Sequence, residues 1–153
     1  MPWDQIPRIG EKNGTKRSVL VDEYGVPLSV CVSGANTHDS RLLAETLDGV
    51  MHKRPRTNPK TRQNLCLDAG YVGKQTTVLS RNYCPHIRPR GEEIKAKRKG
   101  HKPKRWVVER TLSWINRFRK VNIRFEKKAV NHLGLLQLVC GMIAWRQIVI
   151  IYG

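Results

Sequence analysis

The chain has 153 residues, with 29 Lys and Arg against 12 Asp and Glu, a formal net charge of +17 and a hydrophobic share of 39%. That is one domain's length, enough to bury a real core. A surface so unevenly charged opposes its own compaction unless a polyanion neutralises it. Nucleic acid is therefore the first partner to consider, an anionic membrane the second, and a merely soluble or ribosome-type basic protein the bland alternative.

Residues 1–13 show no apolar period and read as an irregular remnant before a domain at 14–153. The start, Met1-Pro2-Trp3-Asp4-Gln5-Ile6-Pro7, lacks a charged leader followed by an apolar run, so no secretory signal is visible. Lys16–Val21 reads as a strand, Asp22-Glu23-Tyr24-Gly25 as a turn and Val26–Ser33 as the return strand of a hairpin. After the loop Gly34–Asp39, either Asp39 or Ser40 can cap a helix with Leu42, Leu43, Leu47 and Val50 on one face, and Asp39 is the better cap.

His52–Arg62 is a basic connector containing Pro55 and Pro59. Leu65–Asp68 reads as a short buried strand, Gln75–Arg81 as a short helix and Cys84–Arg88 as another strand. Arg90–Arg105 is a basic loop, and Val108, Leu112 and Ile115 then trace a helical stripe. Asn131 caps a last helix from Leu133, interrupted by Gln137, Arg146 and Gln147, which favours a buried core helix over a membrane span. The tail Ile148–Tyr152 reads as a terminal strand or a frayed apolar end. Cys31, Cys66, Cys84 and Cys140 have no CxxC spacing; Cys31, Cys66 and Cys140 fall in apolar runs as small hydrophobes, as in a reduced, cytoplasmic protein. The order of elements is a mixed α/β layout.

Asp68 ends the strand-like run Asn64-Leu65-Cys66-Leu67, and strand ends are where ligands bind in open α/β sheets. Glu109 lies on the helix after the basic loop, with Ser113, Asn116 and Lys120 continuing a polar stripe. Two such carboxylates can share Mg2+ or Mn2+ and face phosphodiesters held by basic residues. The bland readings are a helix cap for Asp68 and, for Glu109, an ion pair with Arg105 one turn earlier, contributing roughly 0.2–0.5 kcal/mol. Trp106 and Trp114 read as core or core-edge residues.

The stretches Gly14–Asp22, Gly25–Leu28, Ser33–Ser40, Leu65–Tyr71, Pro85–Glu93, Arg105–Leu112 and Arg124–Ala129 together resemble the C-terminal part of IS5-type insertion-sequence transposases, within the wider IS4-like DDE superfamily. The likeness runs from about Lys12 to the last helix. It implies an RNase H-like α/β fold, a mixed sheet flanked by helices, and metal-dependent phosphodiester hydrolysis and strand transfer on DNA. In that family three acidic residues hold two metal ions; the second maps onto Asp68 and the third onto Glu109. Arg105 matches an arginine expected at DNA phosphate, beside a basic loop with Lys95, Lys97, Arg98, Lys99, Lys102 and Lys104 against the backbone. The tyrosine and lysine flanking this Glu in the IS4 pattern are unmatched, with Lys102 and Asn116 in their places. His38 and Asp39 lie beside the acidic site in the family.

The family's first catalytic Asp ends a strand upstream of Lys16–Val21, and neither Asp4 nor Asp22 replaces it. The expectation is a sheet lacking its first strand, an exposed edge and self-association. Metal binding should be weak, in a second reading frame of a frameshifted element completed in trans by the upstream reading-frame product or by fusion, or in a decayed copy. Insertion-sequence ends and target DNA are the expected partners, together with a homodimer. The alternative is a non-catalytic basic DNA-binding fragment; an RNA-associated basic protein ranks last.

Overall fold

In the computed structural model, residues 14–50, 61–87 and 105–152 are described. β1 (Thr15–Val21) and β2 (Pro27–Gly34) form the expected antiparallel hairpin, with Val19 opposite Val30 and an irregularity between Leu20 and Val21. Asp22 fixes the turn by accepting the Tyr24 N–H at 2.9 Å and the Val26 N–H at 2.8 Å. Gly25 sits at φ +86°, a conformation that side chains with a Cβ rarely adopt.

α1 (Asp39–Asp48) is capped by neither of the residues expected. His38 is the N-cap, its Nδ1 accepting the Ser40 N–H at 3.3 Å. Asp39 falls in the first turn, where its carboxylate pairs with the Lys16 ammonium at 2.9 Å. The imidazole takes the orphan donor, and Asp39 still favours the helix N-terminus through its charge.

β3 (Gln63–Leu67), a 3-10 turn (Ala69–Tyr71), α2 (Gln75–Leu79) and β4 (Tyr83–Ile87) follow, with β3 and β4 parallel. Only Leu65 of β3 is buried. Cys66 is exposed on the strand's other face, so it is no core hydrophobe. All four cysteines are free thiols.

The last three helices are α3 (Arg105–Asn116), α4 (Arg119–Asn122) and α5 (Ala129–Tyr152). The buried stripe of α3 is Val107, Thr111 and Ile115, one residue away from Val108 and Leu112. Apolar spacing could not find it, because its central member is a polar residue with a satisfied hydroxyl. α5 begins two residues before Asn131 and runs through the apolar tail, which is helix rather than strand or frayed end.

The hairpin is the middle layer. Val32 of β2 packs with Ile115 of α3, Val121 of α4 and Leu136, Val139, Cys140 and Ile143 of α5. On its other side, Thr46 of α1 meets Cys31 with Oγ1 and Sγ 3.1 Å apart. Leu43 and Leu47 of α1 also pack with Leu65, Val78 and Tyr83, joining the hairpin to the parallel pair. Each fully buried Ile or Leu contributes about 1.5–3 kcal/mol by leaving water. The mixed α/β layout is as expected, but the single mixed sheet is not: the described strands form two separate pairs, β1–β2 and β3–β4. α1, not a shared ladder, bridges them.

α5 is a core helix on one face only. Its stretch Ala129–Ile150 is long and apolar enough to cross a membrane. Leu136, Val139, Cys140 and Ile143 are nevertheless committed to the protein core.

Candidate metal and nucleic-acid site

Asp68 follows β3 directly, at the carboxyl end of the parallel pair. Its side chain is exposed and caps the 3-10 turn, Oδ1 accepting the Ala69 N–H at 2.7 Å. The cap reading and a metal-ligand reading are compatible, since a carboxylate offers two oxygens and about four lone-pair sites.

Tyr71, at the end of that turn, is half-buried, and its phenol is pushed up to about 12. Burial is the largest cause, followed by the carboxylates of Asp39 and Asp68. Tyr71 therefore stays protonated at neutral pH, a hydroxyl within electrostatic reach of two acids. Asp39 is held by Lys16, whose ammonium also donates to the Thr37 carbonyl at 3.0 Å. Asp39 thus belongs to the surroundings of Asp68, although the sequence favours it as a helix cap. An ion pair across 23 positions leaves no local signal.

Glu109 is exposed on α3, on the same polar face as Ser113 and Asn116. Lys120 is exposed too, but it lies on α4, beyond the end of α3. The next two residues tie this part of α3 to the hairpin turn. Arg110 Nη2 donates to the Tyr24 carbonyl at 2.5 Å, and Thr111 Oγ1 to the Gly25 carbonyl at 2.7 Å. The Arg110 guanidinium also stacks on two indoles, 4.6 Å from the Trp106 ring and 5.0 Å from that of Trp114. Trp114 packs against the core as expected, whereas Trp106 is 51% exposed and serves as a platform for Arg110. At its far end α3 is pinned by Arg17, whose Nη2 donates to Asn116 Oδ1 at 2.8 Å.

Arg105 opens α3, one turn before Glu109. The Arg105 side chain, and Lys95, Lys97, Arg98, Lys99, Lys102 and Lys104, lie outside the described residues.

Asp68 and Glu109 are exposed oxygen donors, the chemistry that suits Mg2+ or Mn2+. Tyr71, three residues past Asp68, packs against the cluster holding Leu43 and Leu47 of α1, and the residues after Glu109 are tied to the hairpin turn. Among the described residues, no group of three or more His, Cys, Asp or Glu is placed to hold a metal. The donor type fits a hard cation, while a full three-acid set is not present among them.

Residues 7–143 match the family described as the transposase DDE domain. The chain is also 35% identical, over 140 residues, to the "Putative transposase for insertion sequence element IS402" of Burkholderia cepacia. That alignment covers 86% of this chain and 63% of the relative, so the chain spans somewhat under two thirds of the relative's length. No solved structure matches the chain.

Proposed function

The chain belongs to the transposase DDE-domain family, and on that footing we propose that it is the C-terminal part of an IS5-type insertion-sequence transposase acting on DNA in the cytoplasm. The observation that carries this reading is the family match across residues 7–143, with Asp68 at the carboxyl end of a parallel strand pair.

Asp68 and Glu109 are the protein's ligands for a divalent metal, which when bound supplies charge stabilisation to a phosphodiester under attack. Asp68 presents its carboxylate from the strand end, steadied by the Ala69 N–H. Glu109 presents its carboxylate from a helix anchored to the hairpin at its middle and at its C-terminal end. Arg105 and Lys95, Lys97, Arg98, Lys99, Lys102 and Lys104 hold DNA phosphates without reading bases. Among the described residues, an antiparallel hairpin and a parallel strand pair are parts from which an RNase H-like mixed sheet is built.

The experiment is a Mn2+ titration followed by NMR line broadening. The expected result is that signals of Asp68 and Glu109 respond together with one dissociation constant, and that Asp68→Asn removes both responses. Silence at both residues would eliminate the shared metal site. The second reading, a DNA-binding fragment without chemistry, is favoured by the lack of a three-acid group among the described residues. DNA binding that is unaffected by Mn2+ and by Asp68→Asn would support it.

A further inference from the structure

The segment from Arg117 to Lys128 leads from α3 through α4 to α5, with Lys or Arg at 6 of its 12 positions against 29 of 153 in the whole chain. Five of these cations, Arg117, Arg119, Lys120, Lys127 and Lys128, are exposed. Among the described residues none of the five is in an ion pair. The single acid of the segment, Glu126, is partly buried.

The sixth cation, Arg124, turns inward. Its Nε donates to the Glu126 carbonyl and its Nη2 to the Lys127 carbonyl, both at 2.9 Å, and its Nη1 to Thr15 Oγ1 at 3.0 Å. One guanidinium therefore closes the loop ahead of α5 on itself and ties it to β1. The two neighbours of Arg124 are left outside, Ile123 at 50% and Phe125 at 62% exposure. A phenyl ring held there forgoes the gain of burial. It has no polar atom for water or for a base edge, and presents only an apolar ring face.

We propose that this loop is a binding site for unpaired DNA, in which Phe125 stacks on a base while Arg119, Lys120, Lys127 and Lys128 take the flanking phosphates. The proposal rests on the reading that the chain acts on DNA, but not on the metal site or on the basic segment ahead of α3. Charge selects the class of partner, since a field this positive gathers a polyanion. The ring selects the state of the DNA. In a duplex the bases are already stacked on one another, and Phe125 finds no open face. In a single strand a base face is free for the ring, and the cations hold the backbone without reading sequence. The three hydrogen bonds of Arg124 set the place of the ring before the strand arrives, which lowers the ordering cost of binding. An anionic bilayer attracts the same cations, but it needs a broad apolar face to enter, and here Ile123 and Phe125 stand between charges on both sides.

The test is fluorescence anisotropy of the full chain on a labelled single strand and on a blunt duplex of the same sequence. Phe125→Ala should weaken the single strand by about 10- to 100-fold and leave the duplex nearly unchanged. Phe125→Trp should restore the single strand. Lys127→Gln with Lys128→Gln should weaken both DNAs and lower the salt slope for the single strand by about 1.4. Irradiating the wild-type chain on a strand carrying 5-iodouracil should give an adduct that mass spectrometry maps to Phe125. Equal losses on both DNAs with Phe125→Ala overturn the proposal, because a ring that only shapes the loop acts on both. An unchanged single-strand affinity also overturns it, while continued duplex binding leaves the DNA reading standing. A wild-type chain that binds neither DNA defeats both. Capture by anionic vesicles that Phe125→Ala abolishes, with DNA binding unaltered, gives the loop to lipid. If Phe125→Ala lowers helical circular dichroism, the photoadduct decides, and its absence at Phe125 rejects the stacking.

Discussion

Thr111 and Gly25 are 86 positions apart, yet the fully buried Thr111 hydroxyl donates to the Gly25 carbonyl at 2.7 Å. The same hydroxyl lies 3.2 Å from the Val107 carbonyl, a longer second acceptor for its single proton. This contact seats α3 on the hairpin turn two residues beyond Glu109. Thr111→Val keeps the shape and removes the donor, leaving the buried Gly25 carbonyl without its partner. The expected loss is about 1–3 kcal/mol in denaturant unfolding. Gly25→Ala attacks the same contact from the other side. Its Cβ would lie 2.9 Å from Thr111 Oγ1 and 3.0 Å from Arg110 Nη2, at a φ of +86°. Measured stability equal to wild type in both variants would remove this contact from the account of how α3 is held.

Local features were legible in the sequence wherever the local signal and the tertiary outcome agree. The hairpin, α1, the short α2 and the strand ending at Asp68 follow from alternation, turn residues and apolar stripes. Two of the errors arise from long-range contact. The buried stripe of α3 is displaced because Thr111 is satisfied by a turn far away in sequence. Asp39 is not the cap because Lys16 draws it away and His38 accepts the orphan amide. Trp106 is exposed for a local reason, since it lies on the outer face of α3 under the Arg110 guanidinium one turn on. The likeness to the transposase family was readable from Asp68, Glu109 and their flanking residues, while the Asp39–Tyr71–Asp68 neighbourhood needed the fold.

The basic segment ahead of α3 should reveal itself through salt. A DNA-bound cation releases counterions, so log K falls with log salt by about 0.9 for each phosphate neutralised. Replacing Lys97, Lys99 and Lys102 by Gln should reduce that slope by roughly 2–3 and weaken all DNA sequences alike. Fluorescence anisotropy across a salt series measures it. An unchanged slope would place these lysines away from the backbone.

The four free thiols should separate by reactivity. Cys66 is exposed, whereas Cys31 and Cys140 are buried. Burial pushes the Cys140 thiol up to about 11, and burial likewise raises that of Cys31. The thiolate is the nucleophile, so both buried groups are doubly protected. A disulfide reagent at neutral pH should modify Cys66 quickly and leave Cys31 and Cys140 untouched until denaturant is added. Mass spectrometry of digested protein locates the adducts. Rapid labelling of Cys140 in the native chain would mean that α5 is not seated on β2.

His132 makes stability depend on pH in a direction that can be worked out. It lies 1% exposed on α5, and its Nδ1 has no hydrogen-bond partner among the described residues. Burial lowers its pKa below the ordinary 6.5, and the charges of Arg124 and Arg17 lower it further, with Glu126 opposing them. Above about pH 6.5 the imidazole is neutral in both folded and unfolded chains, and no penalty arises. As pH falls below that value the unfolded chain takes up a proton that the folded chain resists. Stability then declines by up to about 1.4 kcal/mol per pH unit, until the folded-state pKa is reached. His132→Leu removes the titrating group and should flatten the curve between pH 7 and roughly 5, above the range where carboxylates dominate. Urea unfolding at several pH values gives the comparison. Equal slopes in the variant and the wild-type chain would show that His132 is protonated as readily in the fold as out of it.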